Sequence, residues 1–207
     1  MSTESEAQSR SRREEYAEAT WQAVVAAARE LFAETGYSRT TVEQIARRAR
    51  VSPATVYAQC GGKQGLLKTL MDSWTAGPLV RQIIDACASA PTAADKLREL
   101  ADGYVAIYEA SGDIIPIVTE AAASTPDAAA FLETANARHL DALQEIVAQL
   151  RTTGQLRKDV SDEDAARIIF FHFRFEQFEL GAKTFGWGVD RTRDWIRERV
   201  EATLLAP

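Results

Sequence analysis

The tightest constraint on how this chain folds lies in residues 38–67, SRTTVEQIARRARVSPATVYAQCGGKQGLL, where two short helices and the start of a third are packed into thirty residues. Thr40 followed three residues on by Glu43 has the spacing of a capping box, in which side chains satisfy amides that a first helical turn leaves free. That spacing predicts a helix from Thr41. Val42, Ile45, Ala46 and Ala49 then form one apolar stripe, with Arg47, Arg48 and Arg50 away from it. Ser52-Pro53 restarts the pattern with a favoured cap and a proline at the first helical position, which predicts a second helix from Pro53 to Gln59. A helix of two turns is marginal alone. Helices before and after must hold it, and its use is to be presented to something outside.

Charge indicates what that something is. Residues 39–68 carry six Lys and Arg against one acid, Glu43, whereas residues 1–38 carry four against seven and residues 69–207 carry fourteen against twenty-two, within a net charge of −6. An isolated run of arginine is most simply a solvated surface. On a module of this shape, basic only here, it reads as a face for double-stranded DNA, with the short helix in the major groove. The preceding segment agrees: Trp21, Val24, Val25, Ala28, Leu31 and Phe32 hold one helical face, and Gly36 supplies a stop.

Four segments in order, Leu31-Phe32-Ala33-Glu34-Thr35-Gly36-Tyr37, Thr40-Thr41-Val42-Glu43-Gln44-Ile45-Ala46, Val51-Ser52-Pro53-Ala54-Thr55-Val56-Tyr57 and Lys63-Gln64-Gly65-Leu66-Leu67, resemble the N-terminal signature of the tetracycline-repressor (TetR/AcrR) family of bacterial transcriptional regulators. The resemblance covers about residues 16–70. It implies an all-α fold, with a three-helix helix-turn-helix domain at 15–62 and a larger helical ligand-binding and dimerisation domain at 63–207. It implies DNA positioning by Thr41, Ser52, Thr55, Tyr57 and Lys63; Arg50 joins them as a candidate on its charge, and Thr55 or Gln59 is the candidate at base edges. Three positions depart from the family. Arg50 stands where glycine is usual, at a left-handed position that costs a non-glycine residue about 1 kcal/mol, and a phosphate contact would offset that cost. Cys60 replaces an aromatic residue, and Gly62 a small polar one.

Residues 1–14, rich in Ser, Glu and Arg without apolar period, read as a disordered arm. Beyond Lys63 the breaks predict helices at about 63–76, 79–89, 93–110, 114–123, 127–153, 161–183 and 190–205, with Ser161 and the acids after it a strong helix start. The run 165–180 is apolar around most of its circumference, which signals burial on more than one side. With the last helix it suits the homodimer interface implied by the resemblance, with Ile168, Ile169, His172, Phe175, Trp195, Ile196 and Val200 as candidates; the plainer reading of each is internal core. Trp74, Tyr104, Tyr108, Phe131, His139 and Phe171 bring polar tips to apolar surroundings and are the candidate lining for a small-molecule effector, against the same plainer reading.

No catalytic set, phosphate-cradling loop or metal-ligand spacing appears in residues 70–207, so no enzyme, metal or cofactor is expected. No apolar run approaches a membrane span and no signal peptide opens the chain, which with two cysteines in no CxxC arrangement fits a cytoplasmic protein. The expected function is a repressor released from a pseudopalindromic operator by a small molecule. A regulator that activates or acts without a ligand remains open, as does a helical enzyme or carrier that retains a helix-turn-helix.

Overall fold

The computed structural model describes the backbone of residues 2–206 and the side chains from Arg12 onward, Arg13 excepted. Every regular element among them is helical: α1 Ser2–Thr35, α2 Val42–Ala49, α3 Pro53–Cys60, α4 Gly62–Thr75, α5 Pro78–Ser89, α6 Ala93–Ser111, α7 Ile114–Ser124, α8 Pro126–Thr152, α9 Asp162–His172, the short α10 Phe175–Phe178, a π-helical turn Glu179–Thr184, and α11 Gly188–Leu204. The bounds follow the sequence signals closely from α2 to α8. The expected disordered arm at 1–14 differs: α1 is helical from Ser2, as the Glu, Gln, Ala and Arg of that stretch permit without any apolar face. Its side chains before Arg12 lie outside the described residues.

The chain divides into two units, and the division departs from a single cut at residue 62. The first comprises residues up to Met71 together with Pro116–Leu132; the second comprises Asp72–Ile115 together with the residues from Glu133 on. One segment, Pro116–Leu132, thus returns to the N-terminal unit late in the sequence, which local patterning does not reveal.

In the first unit the stripe of α1 is buried as its spacing requires, with Val24, Ala28, Leu31 and Phe32 inward. Ile45 and Ala46 of α2, Val56 of α3 and Leu66, Leu67 and Leu70 of α4 are buried as well, and α2 and α3 pack on α1. Phe32 packs edge-on against Tyr37 at 5.1 Å between ring centres. α3 buries only Val56 and Cys60, too little apolar surface for an independent helix. Its place is fixed by its neighbours and its caps.

The second unit is built on the pairing of α5 with α6 and of α6 with α11. Ile83, Leu97, Leu100, Leu143, Val147, Leu150, Ile169, Phe178, Ile196 and Val200 form its core. Here one sequence expectation is overturned: the helix forecast at 161–183 breaks after His172. Phe173 leaves the helix at φ −94° and Arg174 is extended. The break places the buried Phe173 ring on Tyr104, stacked at 4.5 Å, and lets Arg174 pair with Glu176 at 3.0 Å. The π turn that follows depends on Gly181, because a Cβ there would lie 2.5 Å from Thr192 Oγ1 of α11. No helix among the described residues is long and apolar enough to cross a membrane.

Candidate nucleic-acid interface

α2 starts one residue later than the Thr40–Glu43 spacing suggests. Thr41 is the N-cap: its hydroxyl accepts from Gln44 N–H at 3.3 Å, and Gln44 Oε1 accepts from Thr41 N–H at 2.8 Å. Thr40 is buried instead, donating its hydroxyl to Gly36 O at 2.8 Å and so fastening the end of α1. The slip has a simple cause, since TTxEQ satisfies the box rule in two registers and the apolar stripe alone does not choose between them.

Between α2 and α3 the chain turns at Arg50, φ 58° and ψ 40°, the left-handed geometry expected for a position usually given to glycine. Its N–H donates back to the carbonyls of Ala46 and Arg47. Ser52 caps α3, its Oγ accepting from Thr55 N–H at 3.1 Å, and Pro53 occupies the first turn. Thr55 Oγ1 lies 2.8 Å from Ser52 Oγ, so this hydroxyl pair is held together on the outer side of the helix start. Along α3, Ser52, Pro53, Ala54, Tyr57, Ala58 and Gln59 are exposed, while Val56 and Cys60 face inward. Tyr57 is 60% exposed for a large aromatic ring, and its inner edge rests against Gly62. With φ +74° and the Tyr57 ring 2.7 Å from where a Cβ would sit, Gly62 admits no side chain. Both departures at this joint thus have a local account: Cys60 fills a small buried space and Gly62 makes room for Tyr57.

The basic residues of this region do different things. Arg48 binds Glu30 at 2.8 Å and Glu34 at 2.9 Å, tying α2 to α1; the guanidinium holds the Glu34 carboxyl below its usual range. Lys63, expected at a phosphate, turns inward. Its Nζ donates to Tyr37 O at 2.8 Å and Thr40 O at 3.0 Å and sits 4.4 Å over the Tyr37 ring, and partial burial lowers its pKa. It therefore welds α4 to the α1–α2 corner, a task that spacing along the sequence does not disclose. Arg47 and Arg50 are exposed. Arg50, Ser52, Thr55, Tyr57 and Gln59 lie on the α2–α3 turn and along α3, and Thr41 is exposed at the opposite end of α2; Lys63 turns inward.

The candidate ligand residues are gathered less completely. In the second unit Tyr104 Oη and His139 Nε2 share a hydrogen bond of 2.5 Å, with Phe170 4.8 Å from the imidazole. Burial, and then the charge of Arg174, push His139 down to about 4; burial raises Tyr104. Tyr108 donates to Glu179 Oε1 at 2.5 Å and stacks on Phe178. Trp74 is half-buried on α4, and Phe131 belongs to the first unit. Phe171 is 63% exposed on α9, so it is a surface residue rather than part of an internal lining.

The dimer candidates are also corrected. Ile169, Ile196 and Val200 lie inside the second unit's core, where no second chain can touch them. In α11 the inward row is Thr192, Ile196, Val200 and Leu204, at intervals of four, and Trp195, one residue off that row, points out at 45% exposure. Ile168, His172 and Phe175 are half-buried. Phe171, Leu180 and Phe185 join Trp195 as large exposed apolar residues on this part of the chain. Among the described residues no group of three or more His, Cys, Asp or Glu is placed to hold a metal ion.

Comparison with known proteins bears on both units. Residues 24–70 match the model of the family described as bacterial regulatory proteins, tetR family. The A-factor receptor protein of Streptomyces griseus is 33% identical over 57 residues, which are 28% of this chain and 21% of that protein, so the match spans about a fifth of the relative's length. Among solved structures, the triclosan complex of SmeT, the Stenotrophomonas maltophilia efflux-pump repressor, superposes with TM-score 0.75 at 21% identity, over 91% of this chain and 92% of that one. FadR of Bacillus subtilis in complex with stearoyl-CoA gives TM-score 0.74 at 19% identity, over 87% and 97%. At these identities the likeness is one of fold, and it runs well past the N-terminal signature. Residues 24–70 thus carry the signature of the tetR family of bacterial regulatory proteins, and the chain as a whole shares its fold with solved structures of repressors and regulators.

Proposed function

We propose that this regulator is a repressor, a homodimer that occupies a pseudopalindromic operator and leaves it when a small organic molecule binds in the second unit. The observation that carries the reading is the contrast within the first unit: a capped, outward-facing α3 with Tyr57 and Gln59 exposed, in the one basic stretch of an otherwise acidic chain. Thr41, Ser52 and Tyr57 position the backbone of the duplex, and Thr55 or Gln59 reads base edges. A pair of such readers spaced by one DNA turn, about 34 Å, doubles the contacts and reads a two-fold site. The exposed Phe171, Leu180, Phe185 and Trp195 support a second copy of the chain as the covering partner.

For the effector, the neutral Tyr104–His139 pair among Phe170 and Phe173 favours a ligand that is largely apolar with one hydrogen-bonding group. Triclosan, the ligand in the SmeT complex, is of that broad kind. Release requires only that the ligand bind more tightly to a reader spacing other than the one DNA selects. As a DNA-binding regulator the protein acts in the cytoplasm.

The test is selection of bound sequences from random duplex DNA by the purified protein, followed by the mass of the winning complex and a thermal-shift screen of organic ligands. A two-fold sequence bound by an even number of chains, and its release by a ligand that also raises the melting temperature, is the expected result. No enriched sequence removes the DNA reading. Tyr57→Ala is expected to abolish protection of the selected site while self-association persists; unchanged protection would take Tyr57 out of the interface.

A further inference from the structure

We propose that Arg47 and Arg50 form a phosphate clamp on the α2–α3 turn, and that Arg50 keeps its left-handed backbone, at a cost in stability, for that contact. The inference rests on the DNA-binding reading above and deepens it, because it assigns the cost of a left-handed non-glycine residue to a contact with DNA.

Arg50 is the sole non-glycine residue with positive φ among the described residues. Its conformation is imposed by the turn, since its own amide closes the end of α2 on the Ala46 and Arg47 carbonyls whatever side chain it carries. Glycine would take that conformation without crowding of a Cβ. Among the described residues neither the Arg50 nor the Arg47 side chain has a hydrogen bond, an ion pair or a ring contact, and both residues are exposed. Arg48 between them shows what an internally employed arginine looks like here, gripped by Glu30 and Glu34 on α1.

The two exposed arginines stand three residues apart, Arg47 on the last turn of α2 and Arg50 just past it. The only acid in residues 39–68 is Glu43 at the opposite end of α2, so nothing local competes for them. Arg50 precedes the α3 cap, Ser52, by two residues, which puts their Cα atoms at most about 7 Å apart. A phosphodiester lying at the start of α3 is therefore within reach of a planar guanidinium that can grip two of its oxygens. Such a contact carries no sequence information; it adds affinity and salt dependence in equal measure on any duplex.

Arg50→Gly, Arg47→Ala and Arg48→Ala separate this from a structural role. Each is measured for melting temperature and for binding, across a salt series, to a duplex selected by the wild-type protein and to a scrambled duplex of equal length. Arg50→Gly is expected to raise the melting temperature by about 2–4 °C. It should weaken binding about fivefold to tenfold at 0.1 M salt, converge with wild type near 1 M, and flatten the log–log salt slope by about 0.9. The fold loss should be the same on both duplexes. Arg47→Ala should flatten the slope alike with an unchanged melting temperature, and Arg48→Ala should lower the melting temperature with the slope unchanged. If the wild type selects a duplex and Arg50→Gly holds it as tightly with the same slope, or melts lower, the clamp is overturned while the regulator reading stands. If the wild type itself enriches no sequence, both fall.

Discussion

The α2–α3 reader and the stretch from α9 to α11 are of similar kind, short helices joined by tight breaks, yet they are held by different interactions. In the reader each break is closed by residues three or four positions apart: Thr41 with Gln44, Ser52 with Thr55, and the Arg50 amide with Ala46 and Arg47. In the α9–α11 stretch the breaks are closed by groups remote in sequence. Tyr108 reaches Glu179 across 71 residues, Tyr104 stacks on Phe173, and Gly181 meets Thr192. Local closure is written in spacing and distant closure is not. The reader also spends its polar groups on its own backbone and leaves one face free, whereas the second unit spends aromatic rings on each other and leaves a different set of rings outside.

The sharpest way to break this comparison is to truncate an inner and an outer ring of the same stretch. Phe178 is 1% exposed and stacks on Tyr108, so Phe178→Ala should cost about 3–5 kcal/mol through lost burial and a cavity. Phe171, 63% exposed, should change the stability of the single chain by less than about 0.5 kcal/mol. Its loss should instead weaken self-association, seen in sedimentation at decreasing concentration. Denaturant unfolding at several protein concentrations separates the two, because stability that resides in a dimer depends on concentration. Equal losses for both variants at all concentrations would mean that the inner and outer assignment is wrong.

This pair also marks where the sequence stops being legible. The apolar run 165–180 signals burial on more than one side, but the break at Phe173–Arg174 shifts which residues face inward. Phe171 therefore reads as lining when it is surface, and Ile169 reads as interface when it is core. In α11 the inward row was within reach of a strict count of four from Thr192, which puts Ile196 and Val200 inside and Trp195 outside. The helix bounds from α4 to α8, by contrast, were legible because Gly, Pro and cap residues mark each end. The return of Pro116–Leu132 to the first unit was not legible, since no local signal encodes which unit an amphipathic helix joins.

A second test addresses the buried Tyr104–His139 pair through pH. His139 titrates near 6.5 when unfolded and is pushed down to about 4 in the fold, first by burial and then by Arg174. The unfolded chain therefore binds the proton first, and stability present above pH 6.5 is lost as pH falls towards 4, by at most about 3 kcal/mol. His139→Gln, which keeps a polar partner for Tyr104, should flatten the fall between pH 6.5 and 4 when its unfolding free energy is compared with wild type. Parallel curves would show that His139 is not held neutral.

Lys63 connects the two styles of closure, because it lies within the reader yet acts on carbonyls 23 and 26 residues away. Lys63→Met retains the stem and removes the ammonium, leaving the Tyr37 and Thr40 carbonyls without that donor. A hydrogen bond to a charged group contributes about 1.5–3 kcal/mol, so a loss of about 2 kcal/mol is expected in thermal unfolding. A phosphate-binding lysine would behave oppositely: the variant would melt like wild type and lose only DNA affinity, with a shallower salt slope.

The smallest expected effect decides the register of α2. TTVEQ offers Thr40 with Glu43 or Thr41 with Gln44, and the fold uses the second, because Thr40 is drawn inward to the α1 carbonyls while Thr41 stays at the surface. Gln44→Ala removes the side chain that accepts from the Thr41 amide and should cost about 0.5–1 kcal/mol, the lower part of the range for a helix cap. Glu43→Ala leaves both bonds of the observed box in place and should lower the unfolding midpoint less than Gln44→Ala does. The reverse ranking would put the cap at Thr40 and start the helix one residue earlier, which the bonds of the Thr40 hydroxyl to the Leu31 and Gly36 carbonyls already oppose. The near-complete burial of Ile45 and the Arg48 bridge to Glu30 and Glu34 fix the face that α2 turns to α1. A difference of under one kilocalorie at the cap is thus backed by an apolar side chain and an ion-pair bridge further along the helix, which is how a short helix with an ambiguous start acquires a single register.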